Sequence, residues 1–445
     1  MTAHLDGRLN SLGSAPEDVE TRLSAIASAF GLDWLQNGGD HPLQGLWRRR
    51  DALATCQLAW FGDAICGMRQ IDEKWTRREL AKIRNEPANN RKGAAFELLG
   101  LNIFAQRKKH RIVPSIGHKP GYDGTIHFAG GGRLAMSIKN YGASVHEKDA
   151  RSEGARLEAA FVGELRMLDL NGLELRAIAR THPTPADWRR LAAALPSILS
   201  APGGPPASDE VWTAFVQPLP DFEARTSPSL SYQITVLARM HPNERQNLIS
   251  KLDEAYANAH RHAATDTDLS RAVLIHLPEN ASVASCEKWA NDYFIDRPDG
   301  MIDLIVFYQP AVVATPDGQG GIVHHMSYVV GPRYVAWSKP DGGPRRQLEG
   351  GFYVGSTSPE PARLSLQSAD GDAIATDEFY VFQSGSLYVG FDESQDGTYD
   401  VVAGNPAPGI LKRPAIFDRR GIRGLDLDEL FARYFPPTNE LVILT

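Results

Sequence analysis

Three cysteines in 445 residues, Cys56, Cys66 and Cys286, are odd in number and far apart. That excludes a disulfide framework and gives no spacing for a cysteine-based zinc cluster. A long apolar run is also missing: no stretch reaches the roughly 20 residues that a membrane helix needs. The first residues, MTAHLDGRLNSLGSAPEDVE, lack the basic flank and apolar stretch of a secretory leader. A reducing cytoplasm is the expected location, with no membrane partner. There is no internal repeat. The Gly-rich stretch at 130–132 is followed by no Gly-Lys-Ser/Thr and reads as a hairpin turn, not a phosphate loop. Any energy-dependent step would need another protein.

What is present is the composition of a globular protein, 42% hydrophobic and 23% charged. The length predicts two or three domains. A formal charge of −7 conceals an asymmetry. Between Arg48 and Lys119 there are 16 Lys/Arg against 7 Asp/Glu, which leaves −16 for the rest. The basic groups fall in WRRR (47–50), KWTRRELAKIR (74–84), RK (91–92) and RKKHR (107–111). Such a region can steer a polyanion, with Arg107, Lys108 and Lys109 as candidate phosphate contacts. It also reads as solvated helix faces, since Arg and Lys interleave with Leu, Ile and Trp. The overall acidity argues against a protein that merely coats nucleic acid.

The pattern along the chain predicts an α/β fold. A basic helical region is expected over 1–91, broken at NEPANN (85–90). From Lys92 the order is helix 93–107, strands 111–116, 122–128 and 133–140, helix 148–169, strand 172–180 and helix 185–199. APGGPPASD (201–209) reads as the clearest linker. Beyond it, 210–324 is expected as mixed α/β, either extending the first sheet or forming a second layer. Residues 325–445 carry short strands and turn residues and predict a β-rich domain, with a late helix LDLDELFARYF and a final strand ELVILT.

The chemistry concentrates in residues 92–153. On the strand beginning at Asp123, residues 123, 125 and 127 share one face. On the next, Arg133, Ala135, Ser137 and Lys139 share one face and Leu134, Met136 and Ile138 the other. Burying the apolar sets together is expected to place Asp123, Ser137 and Lys139 on one polar face. Pairing His127 with Arg133 puts Asp123 opposite Ser137; a two-residue slip puts it opposite Lys139. Glu153 heads an inward stripe with Leu157, Phe161 and Leu165, and Glu97 shares a helix side with Ala94 and Leu101. Asp123, Glu153 and Glu97 could thus converge on one Mg²⁺, with Lys139 over the attacking water or the scissile phosphate. Singly, an Asp-Gly at a strand start is often a turn and a terminal Lys an edge guard.

These residues resemble the PD-(D/E)XK nuclease superfamily, which has the restriction-endonuclease-like fold. KGAAFE with Glu97, GYDG with Asp123 and SIK with Lys139 follow its motif order over about a quarter of the chain. The resemblance implies a mixed sheet flanked by helices over 92–200, with Asp123, Lys139, Glu153 and Glu97 catalytic. It also implies Mg²⁺, with Mn²⁺ as an alternative ion, held by Asp123, Glu153 and Glu97. Ser137 departs from the pattern where a second carboxylate is usual, as does PGY before the aspartate. Some members with Ser-x-Lys move that acid to the following helix, where Glu153 stands and Glu158 is the fallback. Arg151 and Arg156 on that helix are candidate DNA contacts. The implied activity is a DNA endonuclease of restriction or phage-defence type, acting as a homodimer. The alternatives are an inactive DNA-binding module of the same fold and a nuclease for RNA or single strands.

Other signals carry less. Ser137 and Lys139 as a hydrolase dyad lack an evident oxyanion hole. His324 and His325 face opposite sides of a strand, while His241, His260 and His262 read as surface. Asp299 and Asp303 mimic the aspartate motif, but no Glu-x-Lys follows.

Overall fold

In a computed structural model, the described residues run from Pro16 to Asp418, leaving out 106–109, 116–121, 219–229, 333–347, 355–365 and several shorter stretches. Helical spacing of apolar residues sets the first elements. α1 (Pro16–Phe30) buries Val19, Leu23, Ile26 and Phe30. α2 (Leu32–Gln36), α3 (Pro42–Arg48), α4 (Ala52–Ile71) and α5 (Glu73–Asn85) follow. Asp72 starts α5 by accepting the Trp75 N–H at 2.8 Å. The break expected over 85–90 is only two residues long, because Pro87 sits just ahead of α6 (Ala88–Ala105), where it costs no helical hydrogen bond.

β1 (His110–Pro114), β2 (Gly124–Phe128) and β3 (Arg133–Asn140) come next, then α7 (Val145–Met167), β4 (Leu173–Ala179), α8 (Pro185–Leu199), β5 (Ala207–Ser208), β6 (Trp212–Pro218) and β7 (Tyr232–Arg239). The chain continues with α9 (Arg245–Ala263), β8 (Leu269–His276), α10 (Val283–Asp296), β9 (Leu304–Ala314), β10 (Gly320–Val330) and β11 (Leu348–Val354). It divides into two compact units. The described residues up to 142 and within 245–361 form the first, and those within 143–244 and 362–431 the second. The stretch 92–200, expected as one core, is therefore shared between them.

The first unit is built on a seven-stranded mixed sheet in the order β1-β2-β3-β8-β9-β10-β11. β3, β8 and β9 are parallel, and the strands on either side are antiparallel. One face packs on α6, where Phe96 stacks on Tyr308 of β9 with ring centroids 5.7 Å apart. A Cβ on Gly100 would lie 2.9 Å from Leu274, so glycine lets α6 lie close to the sheet. The opposite face buries Val273, Ile275, Ile305 and Phe307 against Leu248, Leu252 and Ala255 of α9 and Tyr293 and Phe294 of α10.

The second unit has a five-stranded sheet, β14-β7-β4-β6-β5, in which β14 is Phe379–Gly385. Leu157, Phe161 and Leu165 of α7 and Trp188, Leu191 and Leu195 of α8 close its core on Leu175, Val216, Ile234 and Val236. The 201–209 stretch does not separate two sheets, since β4 and β6 on its two sides pair with each other and Ala207–Ser208 adds an edge strand. β12 (Leu366–Gln367) pairs with β13 (Ala373–Ile374). β15 (Tyr388–Glu393), β16 (Thr398–Gly404) and β17 (Arg413–Asp418) form a sheet of their own. The described strands within 325–418 are distributed over several sheets and both units, whereas a single β-rich domain was expected over 325–445; the expected late helix and final strand lie outside the described residues. Among the described residues no helix is long and apolar enough to cross a membrane.

Candidate active site

Asp123 stands one residue before β2, and its backbone N–H donates to the Met136 carbonyl at 2.8 Å. The β2–β3 register pairs His127 with Arg133 and Gly124 with Met136. A Cβ on Gly124 would lie 2.8 Å from Leu101 of α6, so this glycine brings the start of β2 against the helix. The Asp123 carboxylate turns onto β3 and accepts the Ile138 N–H at 2.6 Å. Burial pushes its pKa up, against the pull of that N–H and of Lys139 and Lys82.

Glu97 projects from α6 toward the same place. Burial pushes its carboxyl up to about 8, with further push from the charges of Asp123 and Glu79 and relief from Lys82 and Arg78. Glu79 is the residue the sequence reading missed. Its side chain is fully buried, paired with Arg78 at 3.1 Å and with Lys82 at 2.7 Å. The signal was available: Trp75, Glu79 and Ile83 recur every four residues and all are buried, so an acid occupies the apolar stripe of α5. The density of basic residues around it concealed that stripe.

Lys139 lies at the end of β3 with its Nζ 2.7 Å from Glu254 of α9. Ser137 is 7% exposed and lines a small cleft with Tyr122, Ala135, Ala255, Ala259 and Arg271. The open polar face expected for β3 is therefore corrected. Ala255 and Ala259 of α9, which enters more than a hundred residues later, face Ser137 across this cleft, Tyr122 and Leu269 pack on Ala135, and β3 is buried on both sides. His276, next to Asn140 across the β3–β8 pair, is 6% exposed and bonds the Asn140 side chain at 2.8 Å. Burial drives its pKa down to about 3, so it is a neutral packing residue beside Phe96.

Glu153 lies on α7 of the second unit, 2.5 Å from Arg156. Arg151 pairs with Glu147 at 2.7 Å on the same helix. Glu158 accepts from the Tyr232 hydroxyl at 2.8 Å. Arg107, Lys108 and Lys109 lie outside the described residues. Asp303 is structural, accepting the Arg271 N–H at 2.8 Å.

Glu79, Glu97 and Asp123 offer oxygen donors alone, the chemistry preferred by Mg²⁺ and Mn²⁺. Among the described residues, however, the one group of three ligating side chains within 4.8 Å of one another is His146, His182 and His241. The acids would have to draw together to share an ion.

No family model matches the chain, and no match was found among the curated proteins or the solved structures.

Proposed function

We propose that the first unit is a divalent-metal-dependent nuclease of restriction-endonuclease-like architecture that hydrolyses DNA phosphodiester bonds. The observation that carries this reading is the pairing of Asp123 and Glu97. Two half-buried carboxylates from different elements lie close enough for the charge of one to raise the other, and both are held above their usual range. Keeping such a pair costs stability unless a cation or a proton is shared there.

The donor set fits Mg²⁺ or Mn²⁺, which Asp123 and Glu97 would hold with Glu79 beside them. When bound, such an ion polarises the phosphoryl oxygens and supplies an activated water. The chain's own groups do the rest. The Ile138 N–H fixes the Asp123 carboxylate, and Lys82 moderates the acidic charge. Lys139, released from Glu254, stabilises negative charge at the phosphate. The basic excess between Arg48 and Lys119 attracts the polyanion. Glu153 is the acid expected from the resemblance, whereas Glu79 is supplied by the first unit itself; Glu79→Gln and Glu153→Gln decide between them. A homodimer and a restriction or phage-defence role are what the resemblance implies, and a cytoplasmic setting is what the few, scattered cysteines imply.

A second reading, DNA binding without cleavage, is favoured by the ion pair that occupies Lys139 and by the serine at 137. Incubation with supercoiled plasmid, single-stranded DNA and RNA, with Mg²⁺ or Mn²⁺, separates the two. Nicked or linear plasmid supports the nuclease. A salt-sensitive mobility shift with intact plasmid supports the binding module, and cutting confined to RNA or single strands changes the substrate.

A further inference from the structure

We infer that the second unit holds a transition-metal site, Zn²⁺ in the first place, formed by His146, His182 and His241. The site is separate from the proposed nuclease centre, and its three residues come from three elements. His146 is the second residue of α7, His182 follows β4 by three residues, and His241 follows β7 by two. β4 and β7 are parallel neighbours, so their C-terminal ends release His182 and His241 at the same edge of the sheet.

One ring nitrogen from each lies within 4.8 Å of the other two. Three nitrogens on a tetrahedral zinc at about 2.05 Å would be about 3.3 Å apart, so small side-chain rotations close the set. The His146 and His241 rings stack at 3.6 Å and 10°, and the His182 ring stands at 89° to His241. Parallel rings cannot both aim a nitrogen at one ion, so binding turns one of the stacked pair about its Cβ–Cγ bond.

Two features fit ligands held ready. The His182 Nδ1 donates to the Arg239 carbonyl at 3.0 Å, which leaves Nε2 with its lone pair. Glu244, 4% exposed, places a carboxylate beside the cluster, where it accepts from the Ser144 hydroxyl at 2.6 Å and from the Tyr380 hydroxyl. Tyr380 in turn accepts the His241 N–H at 3.2 Å, which anchors the His241 backbone to the same network. At His241, Nδ1 accepts the Asn243 N–H at 3.1 Å; ligation there breaks this bond or turns the ring over. Imidazole nitrogens select zinc and its neighbours over Mg²⁺, and three of them leave a fourth position for water or an added ligand.

The test is titration of the metal-stripped full chain with zinc chloride against a competing chelator, followed by cobalt substitution. The expected result is one tight equivalent, weakened roughly 100-fold or more by His146→Ala, His182→Ala or His241→Ala and retained by His260→Ala and Asp123→Asn. Retention in Asp123→Asn separates this site from the nuclease centre, so either proposal can fail alone. Should a variant not fold, the wild type still answers. Zinc should protect His146, His182 and His241 together from diethyl pyrocarbonate, and bound cobalt should show no thiolate charge transfer. No equivalent bound, unchanged binding in all three variants, or no protection of the three histidines would overturn the proposal.

Discussion

Glu97 is where burial and like charge meet most sharply, so its ionisation should be readable in stability. With a folded pKa of about 8 against an ordinary 4.5, the neutral form is favoured on folding. Its stabilising effect is complete below the unfolded value and is lost as pH rises through the folded one, at up to about 1.4 kcal/mol per pH unit. Wild type should therefore lose urea resistance as pH rises from about 5 to about 8 relative to Glu97→Gln. Parallel curves for the two proteins would show that the carboxyl is not held in this way. At this scale the nearness of Glu97 to Asp123 follows the motif order, whereas the pairing of Lys139 with Glu254 does not. Glu79 could not, because its neighbours Arg78 and Lys82 disguise a buried acid as part of a basic surface. Nor could the burial of Ser137, which depends on Ala255 and Ala259 arriving from far along the chain.

At the scale of elements, α6 connects the fold to the site, since it carries Glu97 and lies close to β3 and β8 through Gly100. Gly100→Val would press branched carbons into Leu274 and Ile138, and overpacking of this kind costs about 1–3 kcal/mol. A chemical-denaturation midpoint unchanged by the substitution would mean that the helix can move away freely. Local elements were the most readable. Helix 185–199 and strand 133–140 have the bounds that periodicity and capping suggest, and Thr184 and Asp187 form the capping box of α8. The failures have physical causes. Gly and Pro in 201–209 serve a turn leading to an edge strand, and the helical pattern over 46–84 hides an interruption at Asp72, between α4 and α5.

For the whole molecule, the division into units was not readable, because it depends on contacts distant in sequence. The chain leaves the first sheet after β3, builds the second unit and returns through α9 to place β8 beside β3. The charge asymmetry was readable, and it makes a prediction independent of the acids. Replacing Arg107, Lys108 and Lys109 together with alanine should flatten the dependence of log affinity for DNA on log salt by about 2–3. An unchanged slope would remove this segment from the interface.

The central claim, hydrolysis at the Asp123 and Glu97 carboxylates, is tested most directly by relaxation of supercoiled plasmid. The wild type should nick plasmid with Mg²⁺ or Mn²⁺ and stop with a chelator, and Asp123→Asn and Glu97→Gln should each lose roughly 100-fold or more in rate while remaining folded. A wild type that leaves the plasmid intact with either ion, or an Asp123→Asn protein that cuts at the wild-type rate, would contradict it.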